Sequence, residues 1–177
     1  MAHEIPTTGT GDSMPSETPK PVFIYGTLCS LPLLAYVLTG DAKNIAAVTR
    51  LAQPARVNDY ARTAIQDHDS ASIDKHPGSF VDGYVLMLET NSQREILDNF
   101  DSDLYYEPSP VTAITDLQAD PEIPTKTVEA DMYIWAGNPG MVTSLPWSLK
   151  AFDEEGTPEW IDTFETMGPV FRNPNQR

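Results

Sequence analysis

The sequence has little of several things, and each scarcity narrows its reading. It holds one cysteine, Cys29, so no intramolecular disulfide can staple it. A lone thiol suits a reducing compartment, and a cytoplasmic protein is the simplest expectation. Only 11 residues are basic against 26 acidic ones, a formal net charge of −15 at pH 7. A surface of that sign repels phosphate backbones and anionic lipid, so no nucleic-acid or membrane partner is expected. No run approaches the ~20 apolar residues of a membrane span. The opening MAHEIPTTGTGDSMPSETPK lacks the basic start and apolar stretch of a secretory signal.

What is there suffices for one domain. The chain has 177 residues, 40% of them hydrophobic. Residues 1–20 are rich in Thr, Ser, Gly and Pro and read as a disordered tail. The folded domain is expected over 21–171, with a short tail over 172–177.

Structure begins at PVFIYGTLCSLP, residues 21–32. Val22 to Tyr25 form a continuous apolar run, as in a strand buried on both faces. After the Gly26 turn, Ser30 can cap a helix and Pro32 fits its first turn. Leu31, Leu34, Ala35 and Leu38 then share a helical face, and Gly40 ends it.

Residues 45–66 read as two or three short strands, and 66–78 as a loop. A strand follows over 79–89, interrupted at Gly83. Ser92 and Glu95 have capping-box spacing before a helix that buries Ile96, Leu97 and Phe100. Residues 105–115 and 127–137 suggest two paired strands. Thr157 and Pro158 open a last helix whose Trp160, Phe164 and Met167 share a face before Gly168. Few helices among many strands, without βα alternation, indicate a mixed α+β barrel or sheet.

The candidate chemistry starts at the first turn. A strand that ends in Tyr25-Gly26-Thr27-Leu28 and feeds a helix gathers main-chain N–H groups around one spot, which favours an anion such as a carboxylate. An ordinary strand-to-helix turn reads the same way. Asp98, Asp101, Asp103 and Glu107 make an acidic run that fits a solvated helix end or a catalytic carboxylate. Asp98 is expected to hydrogen-bond locally.

Cys29 reads as a small, half-buried thiol. Asp67, His68, Asp69, Asp74 and His76 match no defined ligand spacing, so no metal is expected. Arg50, Arg56 and Arg62 suit pairing with the acidic surface, with Arg62 the candidate for a substrate carboxylate. Tyr25, Tyr105 and Tyr133 are candidates to line a pocket. Trp135, Trp147 and Trp160 are assigned to core and helix docking.

Taken in order, Tyr25-Gly26-Thr27-Leu28, Gly83 to Leu88, Leu97-Asp98-Asn99-Phe100-Asp101, Tyr105 and Met132-Tyr133-Ile134-Trp135 resemble the gamma-glutamylcyclotransferase-like family, which includes avirulence-induced-gene-type proteins of plants and fungi. The resemblance spans about residues 21–160. It implies a small mixed β-barrel with flanking helices and a cavity at one end. It also implies cyclisation of a gamma-glutamyl amide to 5-oxoproline with release of an amine, an acyl transfer that is also a lyase reaction. The implied catalytic residue is Asp101 as general acid/base, with Tyr25, Gly26, Thr27, Leu28, Tyr105 and Tyr133 binding a small-molecule substrate. No cofactor is implied.

Two positions depart from the family pattern. Asp101 stands where glutamate is usual, one methylene shorter, and Glu107 stands where arginine is usual. These departures point to a specialised amide. The alternatives are a binder that kept the cavity, or a different acid/base reaction in the same pocket.

Overall fold

The computed structural model describes residues 18–117 and 120–167. Most of the expected N-terminal tail and all of the C-terminal one lie outside these residues. The chain is already bonded to the domain at Lys20, whose ammonium meets the Asp131 carboxylate at 2.7 Å.

The first strand shows how the architecture arises. In β1 (Val22–Ile24) successive side chains point to opposite faces, and both faces are buried. Phe23, with Tyr25 beyond it, faces the barrel interior beside Val57, Ile73, Val85 and Met132. Val22 and Ile24 face outward into a second core with Leu33, Leu34, Leu97 and Phe100 of the helices. A strand sandwiched between two cores has no room for polar alternation, hence the continuous apolar run.

The other strands are β2 (Ala52–Ile65), β3 (Ala71–Leu86), β4 (Tyr106–Ile114), β5 (Thr127–Trp135) and β6 (Val142–Pro146). Neighbours run β3-β1-β5-β4-β2, and β2 pairs back to β3, so five strands close a mixed barrel; β6 adds to β2 outside it. The β1–β5 pair is parallel, and the other pairs are antiparallel. Closure leaves these five strands no free edge. Gly83 sits where β3 crosses β1. A Cβ there would lie 2.1 Å from the Ile24 carbonyl oxygen, so only glycine fits.

Helix α1 (Leu31–Thr39) ends as expected: Gly40 adopts φ 77° and donates its N–H to the Tyr36 carbonyl at 2.8 Å. Its most buried face carries Leu33, Leu34, Ala35 and Val37, with Leu31 and Leu38 packed at the margin. Helix α2 (Ile45–Thr49) follows. Helix α3 (Asn91–Asp103) buries Leu97, Phe100 and Asp101. The last helical stretch runs through α4 (Leu149–Ala151), a π-turn over Phe152–Gly156, and α5 (Thr157–Met167).

Several local expectations are corrected. The segment 45–66 holds one helix and one long strand, not two or three short strands. The segment 66–78 is a loop only to residue 70. From Ala71 onward it pairs with β2, because cross-strand bonding outweighs its polar composition. The capping box lies two residues earlier than expected: Thr90 Oγ1 accepts from Gln93 N at 3.2 Å, and the Gln93 side chain accepts from Thr90 N. Ser30 occupies the cap position of α1 without capping it; its hydroxyl accepts from Thr157 Oγ1 at 2.9 Å. Thr157 is the first residue of α5 rather than a cap before it, since α5 continues the π-turn directly, and its hydroxyl ties that stretch to the start of α1. Gly168 lies outside the described residues.

Candidate active site

Past β1 the chain tightens into a 3₁₀ turn, Thr27–Cys29, closed by Cys29 N donating to the Gly26 carbonyl at 2.9 Å. The first N–H groups of such a turn have no partner within it. Among the described residues, the N–H groups of Gly26, Thr27 and Leu28 make no hydrogen bond in the turns and loops. Three successive donors are thus left free beside a cleft lined by Tyr25, Gly26, Thr27, Leu28, Asp101 and Tyr133, among others. The cleft is half open to solvent.

Asp101 projects from the C-terminal end of α3 and is only 7% exposed. Its Oδ2 atom is buried with no hydrogen-bond partner among the described residues. Burial, and secondarily the charge of Asp98 one helical turn earlier, push its pKa well above the usual carboxylate range. Of the residues lining the cleft, Asp101 alone is a carboxylic acid. One wall therefore offers free donors, and the other a carboxyl group with a high proton affinity.

Tyrosines complete the enclosure. Tyr25 donates its hydroxyl to the Tyr133 carbonyl, and Tyr106 donates to the Ala71 carbonyl. Tyr133 donates to Asp98 Oδ1 at 2.7 Å. Burial, the largest cause in each case, raises all three phenol pKa values, so they stay protonated.

Tyr106 was not foreseen from the sequence, and Tyr105 is corrected. Tyr105 is 66% exposed with φ 66°, packs edge-on against Trp135, and does not line the cleft. Tyr105 takes a left-handed conformation, and the next residue, Tyr106, is buried and lines the cleft. Adjacent tyrosines at a helix-to-strand junction carry no signal of which one turns inward.

Asp98 reaches further than its expected local bonding. Its Oδ1 also accepts from Arg94 Nε at 2.8 Å, the local part of that expectation. Arg94 in turn pairs with Asp131 at 2.7 Å, which Lys20 holds from the other side. Burial works to raise the Asp131 pKa, but the Lys20 and Arg94 hydrogen bonds hold it below the usual value. This chain of ions ties α3, which carries Asp101, to β5, which carries Tyr133.

The remaining candidates separate cleanly. Cys29 is buried, and burial pushes its thiol up to about 12, with Arg62 opposing the shift. Among the described residues no group of three or more His, Cys, Asp or Glu side chains could hold a metal. His68 packs on Trp135, and Asp69 accepts the indole N–H groups of Trp147 and Trp160. Trp160 also packs against Phe100, Phe152 and Phe164. Arg50 pairs with Glu89 and Arg56 with Asp82, as expected of an acid-rich surface. Arg62 makes no ion pair among the described residues; it donates to the Tyr25 carbonyl at 2.8 Å and lies over Trp147. Glu107 is exposed on β4, so that departure does not touch the cleft.

The family model described as gamma-glutamyl cyclotransferase, AIG2-like, matches residues 22–149. The chain belongs to this family. The matched range contains every cleft residue named above. No curated protein matches the sequence. The barrel is shared with solved structures of low identity. Two Arabidopsis thaliana proteins solved in solution are each 20% identical, with TM-score 0.53. One match covers 88% of this chain and 86% of the other; the second covers 86% and 92%. An uncharacterised human protein is 16% identical, with TM-score 0.51, over 83% of this chain and 86% of its own. These likenesses show a shared fold, and the family model gives that fold its gamma-glutamyl cyclotransferase-like name. No described helix is long and apolar enough to cross a membrane.

Proposed function

We propose that the cleft cyclises a gamma-glutamyl amide to 5-oxoproline and releases the attached amine. The observation that carries this reading is the pairing of the unpartnered, buried Asp101 Oδ2 with the free N–H groups of Gly26, Thr27 and Leu28 around one cavity. In the reaction the substrate's α-amine attacks its own γ-carbonyl carbon. A carbon–nitrogen bond forms, the original amide bond breaks, and one proton moves from the attacking to the leaving nitrogen. Asp101 accepts that proton and returns it.

The physical requirements match this equipment. Ring closure within one molecule needs a folded substrate and a single proton shuttle more than an external nucleophile. A carboxyl group of raised proton affinity is better matched to an amine than an ordinary carboxylate. The free N–H groups suit the substrate carboxylate or the oxygen that gains charge as the amine attacks. Asp101 is one methylene shorter than glutamate, and a misplacement of about 1 Å can cost on the order of 100-fold. A specialised amide, seated deeper, accounts for a short carboxylate that remains buried.

The test is 5-oxoproline release, measured by liquid chromatography over a panel of gamma-glutamyl amides, with wild type, Asp101→Asn and Asp101→Glu. Release by wild type that Asp101→Asn abolishes is the expected result. Release only after Asp101→Glu would mean that the natural protein has left this reaction. Silence from all three would refute the reading.

A further inference from the structure

We propose that Arg62 is a positioning residue that locks the orientation of the Tyr25–Gly26 peptide, so that the Gly26 N–H faces the cleft as an anion donor. This rests on the proposed function for what the donor serves, but the peptide orientation stands apart from it. The Arg62 guanidinium donates through Nη1 to the Tyr25 carbonyl oxygen at 2.8 Å. The peptide is trans, so the Gly26 N–H points opposite to that carbonyl. Fixing one end of the plane therefore aims the other.

The lock answers a specific weakness. Gly26 has no Cβ and sits at φ −117°, ψ −135°, outside the helical and strand regions its neighbours occupy. A methyl group placed there would meet Ala71 only at ordinary contact distance, so packing against the protein does not hold this plane. Glycine peptides are the ones most free to rotate. No carbonyl in the described turns and loops accepts the Gly26 N–H, so that end of the plane is untethered too.

Arg62 is suited to the task. Its strand, β2, is pinned by pairing to β3 on either side of it, at Ala61 and Thr63. Its guanidinium lies 5.2 Å from the Trp147 ring, which limits its freedom. It makes no ion pair among the described residues, so its charge is not consumed by a surface acid. A charge-assisted hydrogen bond on the carbonyl also draws electron density through the amide, which makes the N–H a stronger donor. The buried thiol of Cys29, at the end of the same turn, registers that positive field.

The experiment uses the full chain labelled with ¹⁵N, as wild type, Arg62→Met and Arg62→Lys. Methionine keeps much of the aliphatic stem and removes the guanidinium donor; lysine keeps a cation without the planar fork. The first readout needs no substrate: the Gly26 amide resonance shifts or broadens in Arg62→Met, while Val57, Ala130 and Met132 in the barrel keep theirs. The second is 5-oxoproline titration, in which Arg62→Met binds about 10-fold more weakly or worse, below the 10²–10³-fold rate loss of deleting an oxyanion donor outright. Added guanidinium ion at millimolar concentration restores the Gly26 resonance of Arg62→Met.

An unchanged Gly26 resonance in Arg62→Met overturns the proposal, as does a change shared equally by the barrel resonances in both variants. If wild type does not bind 5-oxoproline, the functional reading fails, while the Gly26 resonance still decides the lock.

Discussion

Asp101→Asn should leave the protein more stable than wild type at neutral pH while removing its proposed chemistry. The Asp101 carboxyl is buried near Asp98, and burial first, then that neighbouring charge, raise its pKa well above the ordinary aspartate value of 3.8. In the unfolded chain it ionises near that ordinary value; in the fold it holds its proton to a higher pH. Between those two values the folded state binds more protons than the unfolded one, so stability falls as pH rises. The slope is about 1.4 kcal/mol per pH unit across that window and vanishes above the folded pKa. Against a total stability of about 5–15 kcal/mol, even one unit is a measurable share.

Asparagine keeps the shape and replaces one unpartnered polar atom with another, so packing changes little. It cannot ionise, so it removes this pH dependence. Urea unfolding of both proteins from about pH 5 to about pH 8 measures the difference directly, since every other titrating group is common to both. The difference should grow in favour of Asp101→Asn as pH rises, then level off. A constant difference across that range, or a wild type that gains stability relative to the variant, would refute the reasoning. Proposed activity should run the other way, rising with pH as Asp101 loses its proton.

Two further outcomes follow from contacts elsewhere. Gly83→Ala places a methyl 2.1 Å from the Ile24 carbonyl oxygen, a backbone atom that cannot step aside. It should cost about 3 kcal/mol or more by thermal or urea unfolding, and a loss under about 0.5 kcal/mol would sink the account of the β1–β3 crossing. Asp98→Asn removes the charge that helps raise the Asp101 pKa, so the rise of 5-oxoproline release with pH should move toward acid. It also weakens the half-exposed Arg94 pair by about 1 kcal/mol, and an unmoved pH profile would show that Asp98 does not tune Asp101.

The sequence by itself determined the parts that depend on neighbours along the chain. The apolar run of β1, the turn at Gly26, the α1 stop at Gly40 and the β4–β5 pair were legible because they rest on local backbone preference and short-range pattern. The family motifs pointed to Asp101 and to Tyr25–Leu28, which the fold brings together around one cleft. Composition misled where pairing partners lay far away: the polar start of β3 is a strand only because β2 lies beside it.

The tertiary structure alone decided which side of each element faces the cleft. Tyr106, not Tyr105, lines the cleft, Tyr105 being the left-handed residue at the junction of α3 and β4. Asp98 meets Tyr133, 35 residues away, only because α3 lies against the barrel. Arg62 reaches the Tyr25 carbonyl across 37 residues of sequence. Barrel closure brings distant strands together, and hydrogen bonds formed by that closure leave no trace in local periodicity. Asp101 is the sharpest case. Its identity is written in the chain, but its high proton affinity comes from burial, which only the packed fold supplies.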